Sequence, residues 1–354
     1  MDSDWDKNRV NDKPRVAVVI LNWNGRQLLE RFLPSVISHS EGYAEIIIAD
    51  NGSKDDSLRF LAENYPELRI ISMPENLGFA GGYNAALAKV EADYYVLLNS
   101  DIEVTEGWIE PCIALMESTP QLAACQPKIR SLNQPDFFEY AGASGGFMDH
   151  LGYPFCRGRL FQTLEMDTGQ YDDSTDVFWA SGAAMFIRAE AFRKAGGFDH
   201  RFFAHMEEID LCWRLHNLGY RVMVCPQSLV YHLGGGSLPK SDPGKTRLNF
   251  RNSLMMLAKH MDGIRFYPRL LVRIGLDELA VFTFLIKGQF SDARAVYRAH
   301  FSFFMHLPQL RIESRKLSAP LPPIIYRKSI VATYFLWGKK RFSELSLRAS
   351  SPRI

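Results

Sequence analysis

Four short apolar runs, each closing on a polar cluster, alternate with helical patterns through the first 130 residues of the chain. VAVVILNW (16–23), AEIIIAD (44–50), LRIISM (68–73) and YYVLLNSD (94–101) are rich in branched apolar residues and read as buried strands. RQLLERFLPSVISHS (26–40) repeats Leu28, Leu29, Phe32, Leu33, Val36 and Ile37 at the spacing of one helix face. A second helix is expected over 53–64 with Ser53 as its N-cap, and a third over 78–90 behind a glycine-rich turn. Strands and helices in this order make a mostly parallel, Rossmann-like sheet flanked by helices, hence an α/β fold. Open parallel sheets bind ligands beyond the carboxyl ends of their strands. The clusters Asn22–Asn24, Asp50–Ser53, Glu75–Asn76 and Asn99–Asp101 all fall there and are read as the lining of one pocket. Any one of them alone is also ordinary turn chemistry.

Each cluster suggests a chemical task. Asn99 and Asp101 are two apart at a strand end, so both side chains point one way, and a carboxylate there can hold a hard cation with phosphate oxygens. Asp50 can accept hydrogen bonds from a base or ribose. Asp55 and Asp56 read as solvated first-turn charges. NLGFAGGYN (76–84) sets glycines at a helix start, where amides can face a phosphate or where helix packing needs small residues. In HMEEIDLCWRL (205–215), Glu207, Glu208 and Asp210 open a helix that Gly219 stops. The acids have a bland account in the helix dipole, but apolar neighbours would raise a carboxyl pKa towards that of a general base. His232, ahead of the GGGS segment that begins a flexible loop, is either structural or a metal or phosphate ligand.

Beyond 130 the pattern loosens. Residues 131–175 read as loops or short antiparallel strands, and 221–225 as another strand. From about 265 apolar and aromatic residues interleave with Arg and Lys in helical segments. The boundaries expected are a polar N-terminal tail (1–14), a body (15–264) in two halves (about 15–130 and 131–264), and a basic helical C-terminal region (265–354). The net charge of +1 gives no global case for nucleic acid, yet it hides a division. Residues 1–264 carry ten more acids than bases, and residues 265–354 eleven more bases than acids. Arg269, Arg273, Lys287, Arg294 and Arg298 alternate with Phe282, Phe284, Phe290, Tyr297, Phe301 and Phe303, a pattern for an anionic membrane surface or for a subdomain packed on the body. Five cysteines without C-x-x-C spacing argue against a disulfide framework or zinc site and fit a reducing compartment. The polar N-terminus lacks the apolar core of a signal peptide, and no run of about 18 apolar residues suggests a spanning helix. The expectation is a cytoplasmic protein, peripheral on the inner face of the cell membrane.

Taken in order, VAVVILNWNG, IIIADNGSKDDS, NLGFAGGYNAAL, YYVLLNSDIEV, WASGAAMFIR, GGFDHRFFAHMEEIDLCWRLHNLGYRV and VYHLGGGS resemble an inverting glycosyltransferase of family 2 with the GT-A fold. The likeness runs over about 16–252 and is greatest to the rhamnosyltransferase-like branch. It implies transfer of a hexose, rhamnose or similar, from a nucleotide-diphosphate sugar to a hydroxyl of a glycan or lipid-linked glycan, in cell-surface polysaccharide synthesis. By the resemblance, Asn22, Trp23, Asn24 and Asp50 surround the nucleotide, and Asn76, Gly78, Gly81, Gly82 and Asn84 the nucleotide and diphosphate. Asn99 and Asp101 match the D-x-D, with Asp101 the better contact for Mg²⁺ or Mn²⁺ and His232 near that metal. Trp179, Ser181 and Gly182, with Glu207 and Asp210, line the sugar and acceptor pocket, and Glu208 is the base. Asn99 stands where the family has Asp, which removes one anionic ligand, and Glu208 is one methylene longer than the usual Asp. A nucleotidyltransferase shares the nucleotide and metal requirements but gives no reason for MEEID, and a non-catalytic nucleotide-sugar-binding protein none for an intact base. A dehydrogenase is disfavoured because no glycine fingerprint follows the first strand.

Overall fold

The computed structural model describes residues 13–234, 242–261, 263–264, 266–316, 322 and 324–347. The N-terminal tail up to residue 12 and the 235–241 part of the expected glycine-rich loop lie outside the described residues. The first half alternates β1 (Val16–Asn22), α1 (Arg26–Ser40), β2 (Glu45–Asp50), α2 (Ser57–Asn64), β3 (Arg69–Ser72), α3 (Gly78–Leu87) and β4 (Tyr94–Asn99). Then come β5 (Ile102–Val104), α4 (Glu110–Ser118) and β6 (Leu122–Ser131). Short strands β7 (Gly146–Met148), β8 (Pro154–Cys156), β9 (Arg159–Leu160) and β10 (Thr163–Leu164) form a separate antiparallel sheet. β11 (Thr175–Asp176), β12 (Ala184–Arg188), α5 (Ala189–Lys194), α6 (Glu207–Asn217) and β13 (Arg221–His232) complete the body. The C-terminal helices are α7 (Pro243–His260), α8 (Phe266–Ile286), α9 (Phe290–Lys316) and α10 (Ile330–Phe335).

The main sheet runs β11-β13-β6-β12-β4-β1-β2-β3, with β5 added on β13. β1 pairs in parallel with β2 and β4, and β12 joins antiparallel to β4. Side chains alternate across the pleat, so Val16, Val18 and Ile20 of β1 face α1, α2 and α4, while Ala17 and Val19 face α3, α6 and α7. Both faces are covered, which is why these strands are apolar throughout. Register sets Asn22 opposite Asp50 and Leu21 opposite Asn99, so the polar strand ends share one edge.

Two local expectations shift. The second helix begins at Ser57 behind Asp56, because the Ser53 hydroxyl accepts from Asn22 and Asn24 instead of capping it. The break expected near 264 does not separate two cores. Leu254–Ala258 of α7, Phe303 and Leu310 of α9, and Ile325, Tyr326, Ile330, Tyr334 and Phe342 belong to the same apolar cluster as β1 and α3. Phe342 packs on Phe147 at 5.0 Å between ring centres, Tyr326 N–H donates to Met148 O at 2.9 Å, and Ile330 N–H to Asp149 Oδ2 at 2.8 Å. Arg273, counted above among the cations of a basic face, is buried and donates to Leu151 O and Ser253 Oγ. Phe303 is buried as well.

Candidate active site

The floor of the site is the carboxyl edge of β1 and β2. Asn22 Nδ2 donates to Asp50 Oδ1 (3.2 Å) and to Ser53 Oγ (3.1 Å), and Asn22 Oδ1 is buried without a partner. Asp50 Oδ2 accepts from Ser53 N–H, and Asn24 Oδ1 accepts from Lys54 N–H at 2.7 Å. These bonds lock the turn after β1 against the turn after β2. Trp23 stands on that turn, next in the chain to Asn22, with 42% of its surface exposed.

The glycine turn does a different job from the one its sequence suggests. Asn51 Oδ1 accepts Leu77 N–H, and Asn76 Oδ1 accepts both Asn51 Nδ2 and Gly78 N–H. Ala80 N–H donates to Phe203 O at 3.2 Å. Protein acceptors therefore occupy amides that a phosphate would need. Gly78 is required because φ is +71° and any Cβ would meet the Phe203 carbonyl at 2.5 Å. Gly82 packs on Leu21 and Asn51, and Gly81 lies against Leu77. Asn84 exchanges two hydrogen bonds with the backbone of Phe198 (2.8 and 2.9 Å). This group ties α3 to the sheet and to the segment before α6.

Beyond β4, Asp101 and His232 come together across 131 residues. His232 Nε2 lies 3.1 Å from Asp101 Oδ1, held there because β13 pairs with β5 and Leu233 N–H donates to Asp101 O. On the other ring edge, His232 Nδ1 lies 3.0 Å from Glu139 Oε2. Burial alone would lower the imidazole pKa, but the two carboxylates override it and push His232 up to about 10. Burial would likewise raise Glu139, and His232 with nearby amides holds it below its ordinary value. Glu139 sits in the irregular 131–175 stretch, where no periodicity marks it. Its one legible signal is an acid between aromatics.

The WASG segment splits. Trp179 is buried over Gly146, with its indole N–H bonded to Phe147 O at 3.0 Å. Ser181 is buried, its N–H on Gln126 Oε1 and its hydroxyl on Ala141 O. Both act as scaffold. Ala180 N–H donates to Cys212 Sγ of the acid helix at 3.5 Å, and Gly182 lies beside Glu208: a Cβ there would lie 2.9 Å from Phe79 Cζ and 3.7 Å from Glu208 Cβ. The next residue, Ala183, accepts from Asn99 N–H at 3.0 Å, so Gly182 bridges the β4 end and Glu208.

The three acids of α6 have three environments. Asp210 is fully buried between Lys259 Nζ (2.9 Å), His260 Nε2 (2.8 Å) and Arg214 (2.9 Å). Burial would raise its pKa, but the Lys259 and Arg214 charges and the hydrogen bond from His260 hold it well below the usual carboxylate range. It is an ion-pair anchor for α7 and does not line a pocket. Glu207 is buried with Oε2 unpartnered, and burial with the adjacent Glu208 charge pushes it well above its ordinary value. Glu208 is partly exposed, its Oε2 also lacks a partner among the described residues, and burial, partly offset by backbone amides, moves it up to about 7.

The segment leading into α6 is strained. Phe203, His205 and Met206 have φ of +64°, +70° and +73°, a region side chains other than glycine's rarely adopt. α7 holds it. Asn252 Nδ2 donates to the carbonyls of Phe202 (2.8 Å), Ala204 (2.8 Å) and His205 (2.7 Å), and Arg251 Nη2 to Arg201 O and Phe202 O. Sequence reasoning missed both residues, since nothing local shows that helix residues 47–50 positions downstream return to this turn.

Comparison with known proteins agrees with this geometry. The model of the family described as Glycosyl transferase family 2 matches residues 17–195. An N-acetylglucosaminyl-diphospho-decaprenol L-rhamnosyltransferase of Mycobacterium tuberculosis is 27% identical over 266 residues, 70% of this chain and 85% of that protein. Among solved structures, GalNAc-T7 with UDP, GalNAc and Mn²⁺ superposes with a TM-score of 0.56 at 17% identity, over 72% of this chain and 50% of that one. The mannosyltransferase PcManGT of Pyrobaculum calidifontis, with GDP-Man and Mn²⁺, does so at 0.51 and 14% identity, over 93% of this chain and 89% of that one. With the sheet order, the polar strand edge and a match across half its length, the chain belongs to glycosyl transferase family 2 and is a glycosyltransferase of the GT-A fold.

Proposed function

We propose that this glycosyltransferase moves a rhamnosyl or similar hexosyl unit from a nucleoside-diphosphate sugar to a hydroxyl of a lipid-linked glycan, with inversion. The observation that carries the mechanism is the pair of unpartnered carboxyl oxygens at the start of α6, of which Glu208 alone is both partly exposed and poised near neutrality. Glu208 takes the acceptor's hydroxyl proton as that oxygen bonds to the anomeric carbon. The bond from that carbon to the diphosphate oxygen breaks on the opposite face, and its electron pair leaves with the nucleoside diphosphate. Trp23 offers a stacking face to the base, and Asp50 an acceptor edge.

The donor set fits a divalent cation. Asp101 supplies one oxygen and His232, once a cation displaces the proton that the two carboxylates otherwise hold on its ring, would supply one nitrogen beside it, with Glu139 behind His232 as outer-shell carboxylates stand behind metal-bound imidazoles. Among the described residues no three His, Cys, Asp or Glu converge on one metal position, and in this reading diphosphate oxygens would complete the coordination. Asp101 and His232 would hold Mg²⁺ or Mn²⁺, whose charge neutralises the leaving diphosphate. Asp101→Ala is expected to abolish the extra thermal stabilisation that UDP or GDP gains from Mn²⁺, and Glu139→Gln to weaken Mn²⁺ binding by roughly 10–100-fold in calorimetry with UDP. Unchanged Mn²⁺ binding in both variants would reduce the 99–101 segment to a turn.

The acceptor reading draws on the mycobacterial relative, whose name is that of an enzyme of a lipid diphosphate. The basic C-terminal region supports a peripheral place on the cytoplasmic face of the cell membrane, and no helix among the described residues is long and apolar enough to cross one. The test is transfer, followed by mass spectrometry, from UDP-, GDP- and dTDP-linked hexoses to N-acetylglucosaminyl-diphospho-polyprenol. No product with any donor, despite nucleotide binding, would overturn the acceptor assignment.

A further inference from the structure

Helix α8 is apolar on both sides. Its buried side carries Phe266, Leu270 and Val281 and, among them, two charges that are paired within the protein: Arg273 and Asp277 are each 1% exposed, Arg273 bonded as above and stacked over Tyr153, and Asp277 3.0 Å from His300 of α9. Its outer side carries Leu271, Val272, Leu279, Phe282 and Ile286, with Leu271 74% and Phe282 62% exposed. These positions recur at helical spacing and make one stripe. A helix whose outer side faced only water would carry polar residues there.

The stripe does not end with α8. Across the turn at 287–289, α9 exposes Phe290, Arg294, Tyr297, Arg298, Phe301 and Met305, again one face by spacing. Tyr297 Oη donates to Glu278 Oε2 at 2.9 Å, which joins the outer faces of the two helices edge to edge. Glu278 is the one acid on the α8 stripe, and this bond occupies it. Lys287, Arg294 and Arg298 are exposed among the rings.

We propose that the outer face of the α8–α9 hairpin is the surface that seats this enzyme in the headgroup layer of an anionic bilayer. The inference rests on the membrane-peripheral reading above and names the surface that makes the contact. Charge decides the occupant. A two-fold contact with a second copy would bury Lys287, Arg294 and Arg298 in an apolar interface with Glu278 as the one acid of that face to meet them, and such desolvation is costly. A bilayer receives both kinds of group at once: rings and leucines enter the acyl boundary, while arginine and lysine stems reach back to phosphate. Anionic lipid adds attraction for each basic residue near the surface.

Vesicle co-sedimentation of the full chain tests this at low salt, with phosphatidylglycerol-rich and with pure phosphatidylcholine vesicles. Three proteins are compared: wild type, Leu279→Glu/Phe282→Glu and Arg294→Glu/Arg298→Glu. All four positions are exposed and outside the catalytic machinery, so each protein is expected to keep the same thermal shift with UDP and Mn²⁺. Wild type is expected to pellet with anionic vesicles, and the apolar-face variant to partition about ten-fold less or weaker. The charge-reversed variant is expected to lose its preference for anionic over neutral vesicles. Equal pelleting of all three would overturn this surface and leave the membrane reading standing. A wild type that pellets with neither vesicle overturns both. Light scattering that shows a wild-type dimer broken by the same substitutions would give the face to a second copy. If wild type pellets as expected but no nucleotide shifts its midpoint, the transferase mechanism fails and the surface stands.

Discussion

Glu208→Gln is expected to lower transfer by about 10²–10⁴-fold while nucleotide-sugar binding persists, because it removes the proton acceptor and keeps the side chain's size. The pH profile gives a second signature. A base works only when deprotonated, so kcat/KM of the wild type should rise with pH until about 7 and then level, and the residual rate of the Gln variant should lack that limb. Stability should move the other way. A carboxyl whose folded pKa lies above its unfolded value binds more protons in the native state between the two values. The wild type should therefore lose stability relative to Glu208→Gln as pH climbs from about 4.5 to 7. A Gln variant that transfers at the wild-type rate, or keeps the same acid limb, removes Glu208 from the chemistry. Such a result would turn attention to Glu207, the neighbour with the other unpartnered oxygen.

Asn252→Ala is expected to damage the enzyme without touching the reacting atoms. One amide group serves three buried carbonyls of a turn that holds three side-chain-bearing residues at positive φ. Such conformations cost of order 1–3 kcal/mol each and persist only where surroundings over-determine them. With the amide gone, Phe202 O keeps the Arg251 guanidinium while Ala204 O and His205 O lose the Asn252 donor, and a loss of about 2–4 kcal/mol in unfolding free energy is expected. Glu208 lies two residues past the last strained position, so kcat should fall in the population that remains folded, with nucleotide binding less affected. Asn252→Asp should not rescue, since a carboxylate cannot donate to a carbonyl. Thermal midpoints and kcat measured together decide this. If both survive the change to Ala, the turn stands on its own sequence.

Much of the scaffold was legible because its cause is local. The apolar spacing of 26–40 delimits α1 without error, and the branched runs of β1, β2 and β4 put Asn22, Asp50 and Asn99 on one edge. What sequence hides is who meets whom across long separations. The glycines of 78–82 look like a phosphate cradle until Phe203, Asn51 and Asn76 are seen holding the nearby amides. Asp210 looks like a pocket acid until Lys259 and His260 arrive from 49 and 50 residues away. Glu139 gave no periodic signal and is brought to His232 only by the path of β13. A charge count over the C-terminal region cannot tell Arg273, buried against Tyr153, from Arg298 on the outside.

The packing of Phe342 against Phe147 and Phe155 has a consequence for synthesis. Ribosomes add roughly 5–20 residues per second, so the stretch from 156 to 342 takes on the order of 10–40 s. Through that interval the nascent β7–β8 hairpin waits with its aromatic face uncovered, and the sheet beside it lacks α7 and α9 as well. The catalytic body cannot close ahead of its own C-terminal region. Synonymous changes that slow translation between these points should lengthen the exposure and raise the share of new chains lost to aggregation, with no amino acid altered.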